Sequence, residues 1–212
     1  MFLGSLARLC AAFLVAATLS LPSLPALADA PSNDPAARQI ATFSDTLLDC
    51  MRQAKQLGVT GRYNKLKPVV EQTFDLPSMT RLAIGASWGT LSPADQQQLV
   101  VAFERMTIAN YARNFDGYNG EKFTIDPNVQ TRGEDRLVQT TLVSPHDAPV
   151  PFIYRMRDAG GGAWKIIDVY LNGYVSELAT RRSDFSSTIA SGGPDALLKR
   201  INSLSDKLLS GT

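Results

Sequence analysis

The apolar positions that follow residue 34 recur at the spacing of α-helices. Asp34 directly before Pro35 is a typical N-terminal cap, and it predicts a first helix whose apolar stripe continues to Met51. Gly58 and Gly61 are expected to break this helix. The same period predicts three further helices in this half of the chain, over residues 63–74, 76–85 and, after the capping sequence Ser92-Pro93, to about residue 118.

Beyond residue 120 the apolar period changes from 3.6 to 2, which indicates strands. The predicted strands cover residues 122–131, 136–144, 149–158 and 163–171. Short turns separate them, including the hairpin turn at Gly160-Gly161-Gly162, so the four strands are predicted to form an antiparallel meander. Two helices are predicted to close the chain, over residues 175–190 and from Pro194 onward. This order predicts an α+β fold with N-terminal helices, a curved sheet and two C-terminal helices.

Within the sheet, the alternation in the third predicted strand assigns its side chains to two faces. Phe152, Tyr154 and Met156 are predicted to share one face, and Arg155 and Arg157 lie on the other.

The first 28 residues differ from the rest of the chain in composition. Arg8 is the only charge, an apolar run covers residues 9–21, and Ala26-Leu27-Ala28 has the pattern of a signal peptidase site. The run of about 13 apolar residues is shorter than the roughly 20 that a membrane anchor needs. We therefore predict a signal peptide over residues 1–28 that is cleaved on export, a flexible leader over residues 29–34 and a single domain over residues 35–212.

The composition narrows the class of protein. The chain has 212 residues, 44% of them hydrophobic, with 21 basic and 20 acidic side chains and a net charge of +1. This content excludes wholesale disorder, and the balanced charge argues against binding to nucleic acid. Only Cys50 would remain after export, so no intramolecular disulfide can form and the fold depends on a hydrophobic core.

The sequence contains few candidate catalytic residues. His146 is the single histidine and lies in a predicted turn, Cys50 lies on the apolar stripe of the first helix, and the three consecutive glycines join strands rather than open a helix. We predict no catalytic residue, no metal site and no cofactor. The exception is Asp168, an acid within an apolar strand, which could act as the base of an isomerase-like enzyme with Tyr170 or Tyr154 as donor. The alternative is a structural role, as a helix cap or as the partner of Arg155 or Arg182.

The predicted helices and sheet carry many aromatic and long aliphatic side chains that face one another. They would either fill a core or line an apolar cavity, and periodicity does not distinguish the two. If a cavity exists, its predicted lining is Phe74, Met79, Leu82, Trp88, Phe103, Met106, Tyr111, Phe123, Phe152, Tyr154, Ile166 and Val169.

Several sequence blocks resemble one known family. They are Phe74-Asp75-Leu76 with Met79, Arg81, Leu82, Gly85 and Trp88; Ser92-Pro93 with Phe103 and Tyr111; residues 150–155; residues 162–169; residues 182–185; and residues 192–198. Their order and spacing are similar to those of MlaC, the periplasmic phospholipid-binding proteins that are also described as toluene-tolerance auxiliary components. The resemblance covers about residues 35–200. It implies a soluble periplasmic carrier that holds lipid tails in an apolar pocket and moves lipid between the inner and outer membranes.

One segment departs from this pattern. Tyr174 and the run Glu177-Leu178-Ala179-Thr180-Arg181-Arg182 are more similar to HpnM, the hopanoid-associated branch. The resemblance therefore implies either a phospholipid or a hopanoid as the ligand. It implies an inner-membrane lipid transporter as the partner, either of the ABC type with an MCE component or of the RND type, and an outer-membrane lipoprotein complex as a second partner. The rival to a carrier is an exported adaptor with a filled core, whose surface arginines Arg155, Arg157, Arg181 and Arg182 would contact a membrane protein or lipid phosphates.

Overall fold

The computed structural model describes residues 33–210, in which helices precede a β-sheet and a long helix closes the chain. The helices are α1 (Pro35–Arg52), α2 (Ala54–Thr73), α3 (Leu76–Ile84), α4 (Pro93–Asn114) and α5 (Glu177–Ser210), with a 3-10 helix over Gly85–Thr90. The strands are β1 (Lys122–Ile125), β2 (Gln130–Arg132), β3 (Asp135–Val143), β4 (Val150–Asp158), β5 (Trp164–Leu171) and β6 (Val175–Ser176). The predicted α+β class is confirmed.

All strand pairs of the sheet are antiparallel, in the order β1-β3-β4-β5-β6, and β2 also pairs with β3. The prediction of four strands is wrong in number, because residues 122–131 form two strands. Pro127 has no N–H to donate to a ladder, and Asp126 accepts hydrogen bonds from the backbone and side chain of Asn128, which turns the chain between them. The extra strand β6 follows the turn Asn172-Gly173, where both residues have positive φ, and its direction reverses onto β5.

The helix bounds also differ in places from the predicted ones. Helix α2 begins at Ala54 rather than residue 63, because only Gly58 (φ 59°) interrupts the helical backbone, and Gly61 lies within the helix. Helix α4 ends at Asn114 although the apolar period continues to Tyr118. The closing helix α5 contains one non-helical residue, Gly193, just before Pro194, so its two segments correspond to the two predicted helices.

The core lies between the helices and the inner face of the sheet, and α1 and α4 both contribute side chains to it. The Phe43 ring is fully buried and makes edge-on contacts with three other rings: the centroids of Phe74 and Tyr111 lie 5.3 Å away and that of Tyr154 lies 6.2 Å away. Phe152 stacks on Tyr154 with a centroid distance of 6.2 Å. This aromatic cluster (Phe43, Phe74, Tyr111, Phe152 and Tyr154) joins α1 and α4 to β4.

Asp34, which lies at the predicted junction between the leader and the domain, contacts both Ala36 and Arg136. Asp34 caps α1 by accepting a hydrogen bond from the Ala36 N–H at 2.8 Å, as predicted, and its other carboxylate oxygen pairs with Arg136 on β3. The predicted signal peptide and most of the predicted leader, residues 1–32, lie outside the described residues. Within residues 33–210, no helix is long and apolar enough to cross a membrane.

On the outer face of the sheet, the buried carboxylate of Asp135 holds two arginines. It accepts hydrogen bonds from Arg155 Nε at 2.6 Å and from Arg157 Nε at 2.7 Å and Nη2 at 3.1 Å. Burial alone would raise the pKa of Asp135, but the hydrogen bonds from Arg157 and Arg155 outweigh it and lower the pKa below its ordinary value. The predicted division of β4 into an apolar and an arginine face is therefore confirmed.

Replacing Asp135→Asn should lower the free energy of unfolding by about 2 kcal/mol at pH 7, because two arginines lose their charged partner. A lowered native pKa means that the ionised carboxylate stabilises the fold above about pH 4, and this contribution is lost as the pH falls through the native pKa. Urea unfolding at pH 7 and pH 3 should show a smaller difference between the proteins at pH 3. Glu134→Gln, at the exposed neighbouring carboxylate, is the control. Equal stability of Asp135→Asn and the parent at pH 7 would contradict the prediction.

Candidate functional site

An apolar cavity of about 320 Å³ lies between α4, the inner face of the sheet and the beginning of α5. Its lining is mostly apolar, and the polar residues among it are all half-buried or exposed to solvent. The apolar residues are Phe74, Met79, Phe103, Met106, Tyr111, Phe115, Leu142, Val150, Phe152, Val169, Leu171 and Leu178. The polar residues, called here the rim, are Thr107, Asn110, Asn114, Asn172, Glu177 and Arg181.

Local periodicity explains how single elements contribute to this lining. Helix α4 contributes a row of residues at intervals of three and four, which is one face of a helix: Phe103, Met106, Thr107, Asn110, Tyr111 and Asn114. Strand β5 contributes Val169 and Leu171, which alternate with Asp168 and Tyr170 on the opposite face. The long helix thus forms one wall and the sheet forms the facing wall.

Seven of the twelve residues predicted to line a cavity do so: Phe74, Met79, Phe103, Met106, Tyr111, Phe152 and Val169. The other five lie around it. Tyr154 and Ile166 are fully buried in the core, and Phe123 packs beside the cavity against Phe115 and Phe152. Trp88 is half-buried in the 3-10 helix, and Leu82 is 36% exposed and lines a groove on another side of the molecule.

The rim was not predicted from the sequence. A signal for part of it exists, since Asn110 and Asn114 continue the helical row of Phe103 and Tyr111 at intervals of three and four. Glu177 and Arg181 are likewise one helical turn apart. A signal also existed for Leu171, which lies two residues after the predicted Val169 on the same face of β5. Leu142 carried none, because both faces of its predicted strand contain apolar residues.

Two tyrosines near the floor of the cavity are held neutral. Burial raises the pKa of Tyr111 well above its usual range, and the neighbouring Tyr154 and the carboxylate of Glu177 act in the same direction. Burial likewise raises the pKa of Tyr154. The hydroxyl groups of the two tyrosines lie close to each other. Neither tyrosine therefore adds a negative charge to the cavity or to the core beside it.

Asp168, the candidate base, lies on the opposite side of β5 from the cavity. Its carboxylate accepts hydrogen bonds from the Val169 N–H at 2.8 Å, the Ser176 hydroxyl at 2.7 Å and the Leu178 N–H at 3.2 Å. Ser176 in turn caps α5 by accepting from the Ala179 N–H at 3.0 Å. The predicted capping role is confirmed.

The predicted pairing of Asp168 with an arginine is wrong. Arg155 is held by Asp135 instead, and it lines an outer groove of about 610 Å³ together with Arg157 and Arg182.

The other candidate residues from the sequence do not line the cavity. His146 is exposed in the turn between β3 and β4, and Cys50 is fully buried in α1. Gly160, Gly161 and Gly162 all have positive φ and form the predicted hairpin turn between β4 and β5. In the described part of the chain, no group of three His, Cys, Asp or Glu side chains is placed to hold a metal ion.

Comparison with known proteins relates this architecture to others. No curated protein matches the chain. Among solved structures, the fold is similar to that of the phospholipid-binding protein from Ralstonia solanacearum, which was determined in complex with a phospholipid, with a TM-score of 0.71 and 20% sequence identity. The match covers 81% of this chain and 97% of the other. The family model described as MlaC protein matches residues 41–203. The chain therefore belongs to the MlaC family.

Proposed function

We propose that this protein is a periplasmic lipid carrier, which holds the apolar tails of a lipid in the cavity and leaves the headgroup at the rim. The observation that carries the proposal is a cavity lined mainly by buried and half-buried apolar side chains, whose polar lining residues are partly exposed to solvent. The apolar lining suits the tails of a lipid, and the partly exposed polar residues suit its headgroup. The relationship to the phospholipid-binding protein of Ralstonia solanacearum and the membership of the MlaC family support it.

The energetics explain why a carrier of this kind is needed. Two acyl chains with about 30 methylene groups would cost on the order of 24 kcal/mol to expose to water, at about 0.8 kcal/mol each. Free diffusion between membranes is therefore negligible. A dry cavity lined by carbon replaces the bilayer interior, so that transfer in either direction is nearly neutral in free energy.

The size of the cavity limits what it holds in this conformation. Its volume of about 320 Å³ is at the lower end of the ~300–1,000 Å³ that is usual for small-molecule sites. A lipid with two long tails requires the walls to separate. The turn after β5 and the first turns of α5 also line the cavity, through Asn172, Glu177 and Arg181.

The same proposal implies a location in the cell, two partners and a ligand. The signal peptide over residues 1–28 would export the chain to the periplasm. An inner-membrane lipid transporter, of the ABC type with an MCE component or of the RND type, would exchange lipid with it, and an outer-membrane lipoprotein complex would be the partner at the other membrane. The ligand is a phospholipid in the MlaC-like role and a hopanoid in the HpnM-like role.

Native mass spectrometry of the protein purified from its periplasm, followed by solvent extraction and lipid analysis, tests the proposal. We expect one lipid per protein molecule. A phospholipid would assign the MlaC-like role, and a hopanoid the HpnM-like role. A bare protein that stays bare after incubation with liposomes would contradict the carrier and favour an adaptor with a filled core.

A further inference from the structure

The rim of the cavity carries one positive and one negative side chain, both from the beginning of α5. Arg181 and Glu177 lie one helical turn apart on the same face, and their side chains are 28% and 31% exposed. The next residue, Arg182, faces away from the cavity into the outer groove, where it lies beside Gly85. Two adjacent arginines therefore occupy different sites.

The Arg181–Glu177 pair is loose. The distance from Arg181 Nη2 to Glu177 Oε2 is 3.8 Å, about 1 Å longer than the ~2.7–2.9 Å of a charge-assisted hydrogen bond. Among residues 33–210, neither side chain has another ion-pair or hydrogen-bond partner in the structure. Both charges thus keep unused hydrogen-bonding capacity at the opening of the cavity.

The other polar side chains that line the cavity are uncharged. The other rim side chains are amides and a hydroxyl, and the Asn114 amide already donates to Asn110 Oδ1 at 3.2 Å. The carboxylate of Glu177 also acts on the buried Tyr111 and contributes to the increase in its pKa, which places this negative charge at the cavity. A ligand that enters here therefore meets one positive and one negative charge side by side.

We propose that this pair selects lipids with a zwitterionic headgroup, with the headgroup phosphate at Arg181 and its ammonium group at Glu177. The inference rests on the proposed carrier function. A guanidinium matches the geometry of a phosphate, and the carboxylate completes the match with an ammonium group. An anionic headgroup would gain the contact with Arg181 but would be repelled by Glu177, and a lipid without charge would leave both side chains without a ligand partner.

The test uses delipidated protein incubated with vesicles of equimolar phosphatidylethanolamine and phosphatidylglycerol that carry identical acyl chains. Native mass spectrometry separates the two complexes by mass and reports their ratio. We expect the parent protein to prefer phosphatidylethanolamine about fivefold, because a partly exposed charge pair contributes up to about 1 kcal/mol.

Two substitutions should change this result in different ways. Glu177→Gln removes the repulsion of phosphatidylglycerol and the contact with the ammonium group, so the ratio should fall to about one or below. Arg181→Gln removes the phosphate contact for both lipids, so total loading should fall several-fold while the preference for phosphatidylethanolamine remains. Arg182→Gln is the matched control and should leave loading and ratio unchanged. Thermal unfolding of each variant verifies that it is folded.

Each outcome decides the inference. A parent protein that takes up both lipids equally, or a Glu177→Gln variant with the ratio of the parent, would overturn it while leaving the carrier function intact. Loss of loading in Arg182→Gln equal to that in Arg181→Gln would also overturn it, since the effect would then be one of net charge. A parent protein that takes up neither lipid would overturn both the inference and the carrier function.

Discussion

Replacing Phe152→Glu should reduce lipid loading by more than about 100-fold, because it places a carboxylate against the lipid tails. Phe152 is half-buried on the inner face of β4, where it lines the cavity and stacks on Tyr154. A carboxylate at this position keeps part of its hydration while the cavity is empty, so the fold should survive. Lipid tails that enter would strip that hydration and replace it with nothing, because acyl chains carry no hydrogen-bond donor.

The control for this substitution is Ile153→Glu. Ile153 is the next residue of β4, is also half-buried and faces the other side of the sheet. Both variants would be exposed to liposomes and examined by native mass spectrometry, with circular dichroism as the test of folding. We expect loading to be lost only in Phe152→Glu. Normal loading of folded Phe152→Glu would show that the tails do not occupy this cavity.

Replacing Phe43→Ala should lower the free energy of unfolding by about 4 kcal/mol, within the usual range of ~3–5 kcal/mol for buried phenylalanines. The Phe43 ring is fully buried at the centre of the aromatic cluster and contacts rings from α4, β4 and the end of α2. Its removal leaves a void that its three aromatic neighbours cannot fill. The loss is also a large part of the roughly 5–15 kcal/mol that stabilises a domain.

Urea unfolding at equilibrium measures this effect. Phe43→Leu, which keeps most of the volume, should retain most of the stability and remains measurable if Phe43→Ala does not fold. Tyr118→Ala is the control, because Tyr118 is 39% exposed and its ring contacts mainly the Arg52 guanidinium at 5.2 Å; we expect a loss of about 1 kcal/mol or less. A loss below about 1.5 kcal/mol in Phe43→Ala would contradict a closely packed cluster.

Local signals in the sequence correctly predicted where most helices and strands lie. Asp34-Pro35 and Ser92-Pro93 mark the starts of α1 and α4, where Asp34 and Ser92 accept the capping hydrogen bonds. The apolar period of 3.6 and its change to 2 indicated where helices end and strands begin, since each period reflects the backbone geometry of the element itself. These features depend on neighbours within a few residues, which the sequence displays directly.

The errors arose where local signals conflict or are weak. Gly61 stays helical because glycine permits a break in a helix without enforcing one, whereas Gly58 takes a positive φ. Helix α4 ends at Asn114, before Tyr118, because the sequence Asp116-Gly117 favours a turn even though the apolar period continues. Strand β6 has only two residues, too few to show any period.

The sequence by itself determined the fold class, the positions of most elements and the two faces of β4. It also identified seven residues of the cavity lining, because a side chain's face follows from its position in the period. Only the tertiary structure decided that α4 and the sheet leave a cavity, and that Tyr154 and Ile166 lie in the packed core. Only the tertiary structure showed that Arg181 lines the cavity whereas Arg182 lines the outer groove. The hydrophobic period shows towards which face a side chain points. Whether a cavity lies on that side depends on the distances between elements that are far apart in the chain.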